Sequence, residues 1–343
     1  MNSLTTIRAL PKVELHVHVL GSIRPSTLLE IINEDDIKSP YSTERDLIKR
    51  FQYTDFVNFI RVYMEIIQYI TDGRHFERIT YEMLENCSIC NTQYVELSFS
   101  PMDHIKQGVD FVAIVNAINR GIRRAQEEFG IETNIRVDLV RDSTPESAMD
   151  ILRSIEDNPD NIVSIDIGGN ERAHSPKPFA PVYKHAKKMG LHLVAHAGEA
   201  AGPDSIWDAI QYLNVERIGH GVSARKDPEL VEYLKRERIV IEMCPVSNLR
   251  TGVVSSMRNH PIREFFDKGL LVTVNSDDPS LFHTDLNNEY VQLHEHLGFT
   301  LPELFQISLN GVDTSFLDLK RKHQLRASFL REYDSILKSM TIY

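Results

Sequence analysis

The chain repeats one pattern from end to end: a short run rich in Val, Ile and Leu, then a longer stretch with helical spacing. The runs are Val13–His18, Tyr94–Phe99, Asn134–Leu139, Ile162–Ile167, His192–His196, Arg217–His220, Ile239–Met243 and Leu271–Asn275. Several are nearly continuous in aliphatic residues, as expected of strands buried on both faces. The stretches between them read as helices. Asp227-Pro228 and Thr144-Pro145 each place a capping residue before a proline that suits the first helical turn. Phe111–Phe129 and Pro145–Ile155 carry apolar residues at helical spacing. Strand and helix alternating eight times predicts an α/β fold with a parallel sheet, closed as a (β/α)8 TIM barrel. Arg217–His220 is the shortest and most polar of the eight runs. A barrel of this kind accommodates all 343 residues as one domain.

Two regions depart from the alternation. Residues 19–93 are too long for one crossover and include the aromatic-rich stretch Tyr53–Ile70, which predicts a helical lid over the top of the barrel. From Pro302 onward the chain reads as terminal helices. Composition narrows the function. A net charge of -11 argues against a nucleic-acid partner. The three cysteines, Cys87, Cys90 and Cys244, suggest a reducing, cytoplasmic setting rather than a disulfide framework. Met1 to Pro11 lacks the long apolar run of a signal peptide, and no stretch is apolar enough to span a membrane. Oligomeric state is left open.

The chemistry lies at the strand ends. In Glu14-Leu15-His16-Val17-His18, alternation puts both imidazoles on one face. His196 ends the fifth run, His220 the sixth, and Asp277 and Asp278 follow the eighth. Barrel strands converge at their C-terminal ends, so these groups meet at one place. Three imidazoles and a carboxylate suit Zn²⁺; iron, manganese or cobalt fit the same donors. No lysine stands at a strand end to bridge two ions, which favours one ion per chain. Glu199 lies three residues past His196, and Gly198 permits the tight backbone that turns its carboxylate back to move a proton. His220, flanked by glycines, suits orientation of an attacking hydroxide or a further place on the metal. Cys87-Ser88-Ile89-Cys90 falls on a helical stretch with no second pair, so it reads as buried thiols. The Gly-x-Ser-x-Gly and P-loop patterns are absent, as is the zinc signature of cytidine-deaminase-type enzymes.

Five segments in order, Pro11–His18, His196–Glu199, Arg217–Gly221, Glu242–Asn248 and Ser276–Pro279, resemble the adenosine deaminase family of the amidohydrolase superfamily. The resemblance runs from about residue 10 to about residue 335. It implies a purine nucleoside substrate and a mononuclear zinc barrel with His16, His18, His196 and Asp277 as ligands. It also implies that Glu199 protonates purine N1, that His220 supports the attacking hydroxide, that Asp278 meets N7 and that the Gly169 backbone N–H meets N3.

One position departs from the family pattern. Adenosine deaminases carry an acidic residue two places after the second histidine, where it contacts the ribose 5'-hydroxyl; here that residue is Leu20. Leucine cannot accept the hydrogen bond, which implies a substrate substituted at the 5' position. Bacterial aminodeoxyfutalosine deaminases, which serve a menaquinone pathway, resemble the chain here and at Thr54-Asp55-Phe56, Gly202-Pro203 with Trp207-Asp208, and Thr284–Asn287. The expected activity is therefore deamination of aminodeoxyfutalosine, with adenosine or another 5'-modified adenosine as alternatives. An amidohydrolase of another specificity and a catalytically inactive binding protein on the same scaffold compete with it. The loss of a ligand or of Glu199 would mark the inactive protein, and none is lost.

Overall fold

The computed structural model describes residues 3–53 and 55–341. Met1, Asn2 and Thr54, one of the positions carrying the resemblance, lie outside the described residues. Eight parallel strands follow one another in chain order: β1 (Lys12–His18), β2 (Thr92–Phe99), β3 (Glu132–Val140), β4 (Ile162–Gly168), β5 (His192–Ala197), β6 (Arg217–His220), β7 (Val240–Met243) and β8 (Val272–Val274). Between β8 and β1 the ladder narrows to one parallel bridge, Val17 with Asp277. There the His18 N–H donates to the Asp277 carbonyl at 2.8 Å, and the Asp277 N–H donates to the His16 carbonyl at 3.0 Å. The eight strands thus form a (β/α)8 barrel.

The helices follow the expected signals. Asp227 caps Pro228–Glu237 by accepting from the N–H groups of Glu229 and Leu230. Thr144 caps Pro145–Asp157 through the Ser147 N–H. Phe111–Phe129 is one helix, closed by Gly130 in the left-handed conformation. The segment between β1 and β2 folds into a 3₁₀ turn at Leu20–Ser22 and the helices Pro25–Glu34, Glu44–Arg50, Phe56–Tyr69 and His75–Ile89. Cys87 lies on the last of these and Cys90 just beyond it; both are buried free thiols, as is Cys244. The chain ends in Leu301–Thr314 and Leu319–Thr341. Among the described residues no helix is long and apolar enough to cross a membrane.

The strands are buried on both faces, but the two faces differ in kind. Val13 packs toward Gly311 of the helix Leu301–Thr314, and the aliphatic set Leu15, Val17, Leu97, Ile135, Val137 and Ile165 shares this burial. The alternate residues Glu14, Glu96, Arg136, Asp166, Arg217 and Glu242 are also buried, at the barrel interior. All but Glu14 form ion pairs, and Glu14 accepts from the Ser276 N–H and hydroxyl at 3.0 Å. Arg217 Nε lies 2.8 Å from Glu242 Oε1, and its guanidinium also meets Glu96 and stacks 3.6 Å over the Phe316 ring. Charged side chains therefore occupy much of the space that aliphatic layers fill in other barrels of this type.

Candidate active site

β1 delivers His16 and His18 from one face, as alternation requires, and its closure against the segment after β8 brings Asp277 beside them. Asp277 Oδ1 lies 3.5 Å from His16 Nε2 and 3.3 Å from His18 Nε2. β5 adds His196, whose ring centroid is 4.6 Å from that of His16. β6 adds His220, with Nε2 3.9 Å from Asp277 Oδ2. Donor atoms of His16, His196, His220 and Asp277 all lie within 4.8 Å of one another, and those of His18, Asp277 and Asp278 form a second such group. The two groups share Asp277. The donor set fits a divalent cation: imidazole nitrogens and a carboxylate converge, and His16 Nε2 is buried with no hydrogen-bond partner.

The backbone is bent to achieve this. His220 and Asp277 both hold positive φ, at 63° and 64°, although neither is glycine. Such conformations persist where surroundings over-determine them. Here Ser247 Oγ donates to Asp277 Oδ2 at 2.6 Å, and Asn248 lies between His220 Nδ1 at 3.1 Å and His260 Nε2 at 3.2 Å. The Glu242–Asn248 segment noted in the sequence thus anchors two site residues.

Neighbouring acids are driven in opposite directions. Burial opposes charge on Asp277, yet His16 and His18 hold it well below the usual carboxylate range. Burial raises Asp278 well above that range, and the charge of Asp277 adds to the rise. Burial raises Glu199 in the same way, with Asp277, Glu171 and Asp278 adding. Burial lowers His220 well below its ordinary value. The surroundings therefore favour the neutral forms of Glu199, Asp278 and His220 and the charged form of Asp277.

These groups line a cleft of about 580 Å³ that also takes in Gly168, Gly169 and the helix Phe56–Tyr69. Gly169 has φ +99°, and a Cβ there would fall 2.3 Å from Asp142 Oδ2, so only glycine fits. Asp278 Oδ1 is buried without a hydrogen-bond partner. Gly21 packs against it: a Cβ on Gly21 would lie 1.7 Å from that oxygen. Leu20 is not brought to the cleft; its side chain is buried in the hydrophobic core.

Several residues at the site were not singled out by the sequence reading. Glu171, at the turn after β4, accepts from the N–H groups of Glu199, Ala200 and Ala201 at 3.1, 2.7 and 2.9 Å, and also from Gly198. It fixes the loop that carries Glu199. Glu242 Oε2 lies 2.8 Å from His16 Nδ1, Asp138 Oδ2 3.1 Å from His18 Nδ1, and Asp166 Oδ2 3.1 Å from His196 Nδ1. The signal for them was present in Arg136-Val137-Asp138 and Ser164-Ile165-Asp166, where polar residues alternate with aliphatic ones inside buried strands.

Known proteins resemble the chain in sequence and fold. The family model described as adenosine deaminase matches residues 11–331. An aminodeoxyfutalosine deaminase from Streptomyces coelicolor is 38% identical over 323 residues, 93% of this chain and 83% of that protein. An adenine deaminase from Vibrio parahaemolyticus is 34% identical over 320 residues, 93% of this chain and 95% of that protein. A solved amidohydrolase from Burkholderia ambifaria, with bound Zn, superposes with a TM-score of 0.92 at 26% identity, covering 99% of this chain and 95% of that one. With a family match spanning the barrel from β1 into the last helix, the chain belongs to the adenosine deaminase family.

Proposed function

We propose that this chain is a zinc-dependent hydrolytic deaminase of a purine nucleoside modified at its 5' position, with aminodeoxyfutalosine as the leading substrate. His16, His18, His196 and Asp277 would hold one zinc ion per chain. The observation that carries this reading is that His18, His196 and Asp277 line one cleft with Glu199, His220 and Asp278, with His16 buried against His196, His220 and Asp277. Zinc is supported by the donor set and by the bound Zn of the Burkholderia amidohydrolase. The three free cysteines support the cytoplasmic setting as part of the same proposal.

When bound, the ion supplies Lewis acidity that lowers the pKa of a water from 15.7 to about 7. Glu199, kept protonated, donates to purine N1 and makes C6 electrophilic. Neutral His220 holds the attacking water and accepts its proton. Asp278, also neutral, donates to the N7 lone pair, and the Gly169 N–H donates to N3. The C6–O bond forms, the C6–N bond breaks as the amino group takes the proton held by His220 and leaves as ammonia, and the new C6 hydroxyl returns its proton to Glu199 as the carbonyl forms. These contacts read a purine from several sides, which argues against an amide, ester or pterin.

Preference for a 5'-modified nucleoside has two supports. The Streptomyces relative is named for such a substrate. The cleft holds a drug-sized ligand rather than a bare base, and Phe56, Val57, Ile60 and Met64 give it an apolar wall with Arg61 among them. The deciding experiment follows ammonia release from aminodeoxyfutalosine, adenosine, other 5'-substituted adenosines and adenine. The kcat/KM is expected to be highest for aminodeoxyfutalosine; a large preference for adenosine or adenine overturns the substrate assignment while leaving the deaminase.

A further inference from the structure

Beneath the cleft, one guanidinium faces three carboxylates that themselves back three imidazoles. Arg136 on β3 is fully buried. Its Nη1 donates to Glu242 Oε2 at 2.8 Å and Oε1 at 3.1 Å, and its Nε donates to Ser98 Oγ at 2.7 Å. The same Nε lies 3.6 Å from Asp166 Oδ2 and 4.0 Å from Asp138 Oδ1. Glu242, Asp166 and Asp138 are the three groups against Nδ1 of His16, His196 and His18. They come from three strands, β7, β4 and β3.

We propose that Arg136 is a positioning residue for the metal centre, a single planar cation that draws three carboxylates into register behind His16, His18 and His196. The proposal rests on the reading of those histidines as zinc ligands. Three buried carboxylates that share one barrel interior repel one another and spread. A guanidinium between them reverses this, because its donors form a rigid fork that reaches several acceptors at once. Glu242 is within hydrogen-bond distance of His16 Nδ1, and Asp138 and Asp166 lie 3.1 Å from Nδ1 of His18 and His196, so a carboxylate behind each ring favours the tautomer that leaves Nε2 free to face the metal position. Glu242 has a second cation in Arg217 at 2.8 Å. Among the described residues, Asp138 and Asp166 have no lysine or arginine other than Arg136 within ion-pair distance. The sequence spacing agrees: Arg136 and Asp138 are alternate residues of β3, so both face the barrel interior.

The test uses full-length Arg136→Lys and Arg136→Gln. Lysine keeps the charge but loses the fork; glutamine loses the charge. Zinc affinity is measured by chelator competition, ligand geometry by the visible spectrum of the cobalt-substituted protein, and melting temperature with and without metal. Both variants are expected to bind zinc about 10- to 100-fold more weakly, as loss of a group orienting metal ligands does. Their cobalt bands should shift and the rise in melting temperature on metal addition should shrink. A residue needed only for packing would lower both melting temperatures equally and leave affinity and spectrum unchanged; that result overturns the proposal. If Arg136→Gln does not fold, Arg136→Lys decides alone, and wild-type affinity and spectrum in it overturn the proposal. Failure of the wild-type protein to bind zinc refutes the metal reading itself.

Discussion

Asp277 and Asp278 are adjacent, chemically identical and assigned opposite states by their surroundings. His16 and His18 hold the first well below the usual carboxylate range, whereas burial raises the second and Glu199 well above it. Acids whose environments push them apart in this way divide the work of a reaction. Glu199→Gln is expected to keep its metal and lose about 10²- to 10⁴-fold in kcat, checked by metal analysis beside steady-state rates. The sign of the pH dependence follows from the same shift. With Glu199 in its proposed role as proton donor and its carboxyl raised, kcat/KM is expected to be sustained through the ordinary carboxylate range and to fall as pH rises through the raised value. The residual activity of Glu199→Gln should lack that alkaline limb. Gly21 is the other residue whose chemistry is forced. Any side chain there collides with Asp278 Oδ1, so Gly21→Ala should raise KM while leaving metal content intact. Unchanged KM would remove Asp278 from substrate contact.

At the scale of elements, the site depends on loops tied down by single side chains. Glu171 gathers the N–H groups from Gly198 to Ala201 and so fixes the loop after β5. Glu171→Gln keeps one acceptor oxygen and loses the charge, and buried charge-assisted hydrogen bonds of this kind contribute about 1.5–3 kcal/mol each. The variant is expected to melt at lower temperature and to lose kcat more than KM; unchanged kcat would show that the loop holds its shape unaided. The strands themselves were legible, because aliphatic runs alternate with stretches of helical spacing. The eight expected runs overlap the eight observed strands, including Arg217–His220, which coincides residue for residue. The interior charges were harder to read. Arg136, Asp166 and Glu242 look in sequence like polar interruptions of buried strands, and what makes them tolerable is pairing across strands far apart in the chain. Glu171 was hidden for a related reason: the donors it serves are backbone N–H groups, which every residue has.

For the whole molecule, an ion that binds only the folded chain adds stability by mass action, about 2.7 kcal/mol at a free concentration 100 times Kd. Removal with a chelator should therefore lower the melting temperature, and added zinc should restore it. A melting temperature indifferent to chelator would contradict a resident ion. The barrel's closure also explains why the site was legible only as a whole. His196 and Asp277 are far in sequence from the His16–His18 pair, and their meeting with it was inferred from the eightfold repeat. That closure has an implication for biosynthesis. The seam between the first and last strands joins partners such as Leu15 and Asn275, 260 residues apart, and the same few hydrogen bonds set Asp277 against the histidines. During translation His16 and His18 emerge early, but their carboxylate partner appears only when most of the chain has left the ribosome. A nascent or truncated chain that ends before Asp277 lacks the complete proposed donor set, so tight metal capture would mark a chain that has finished its ring.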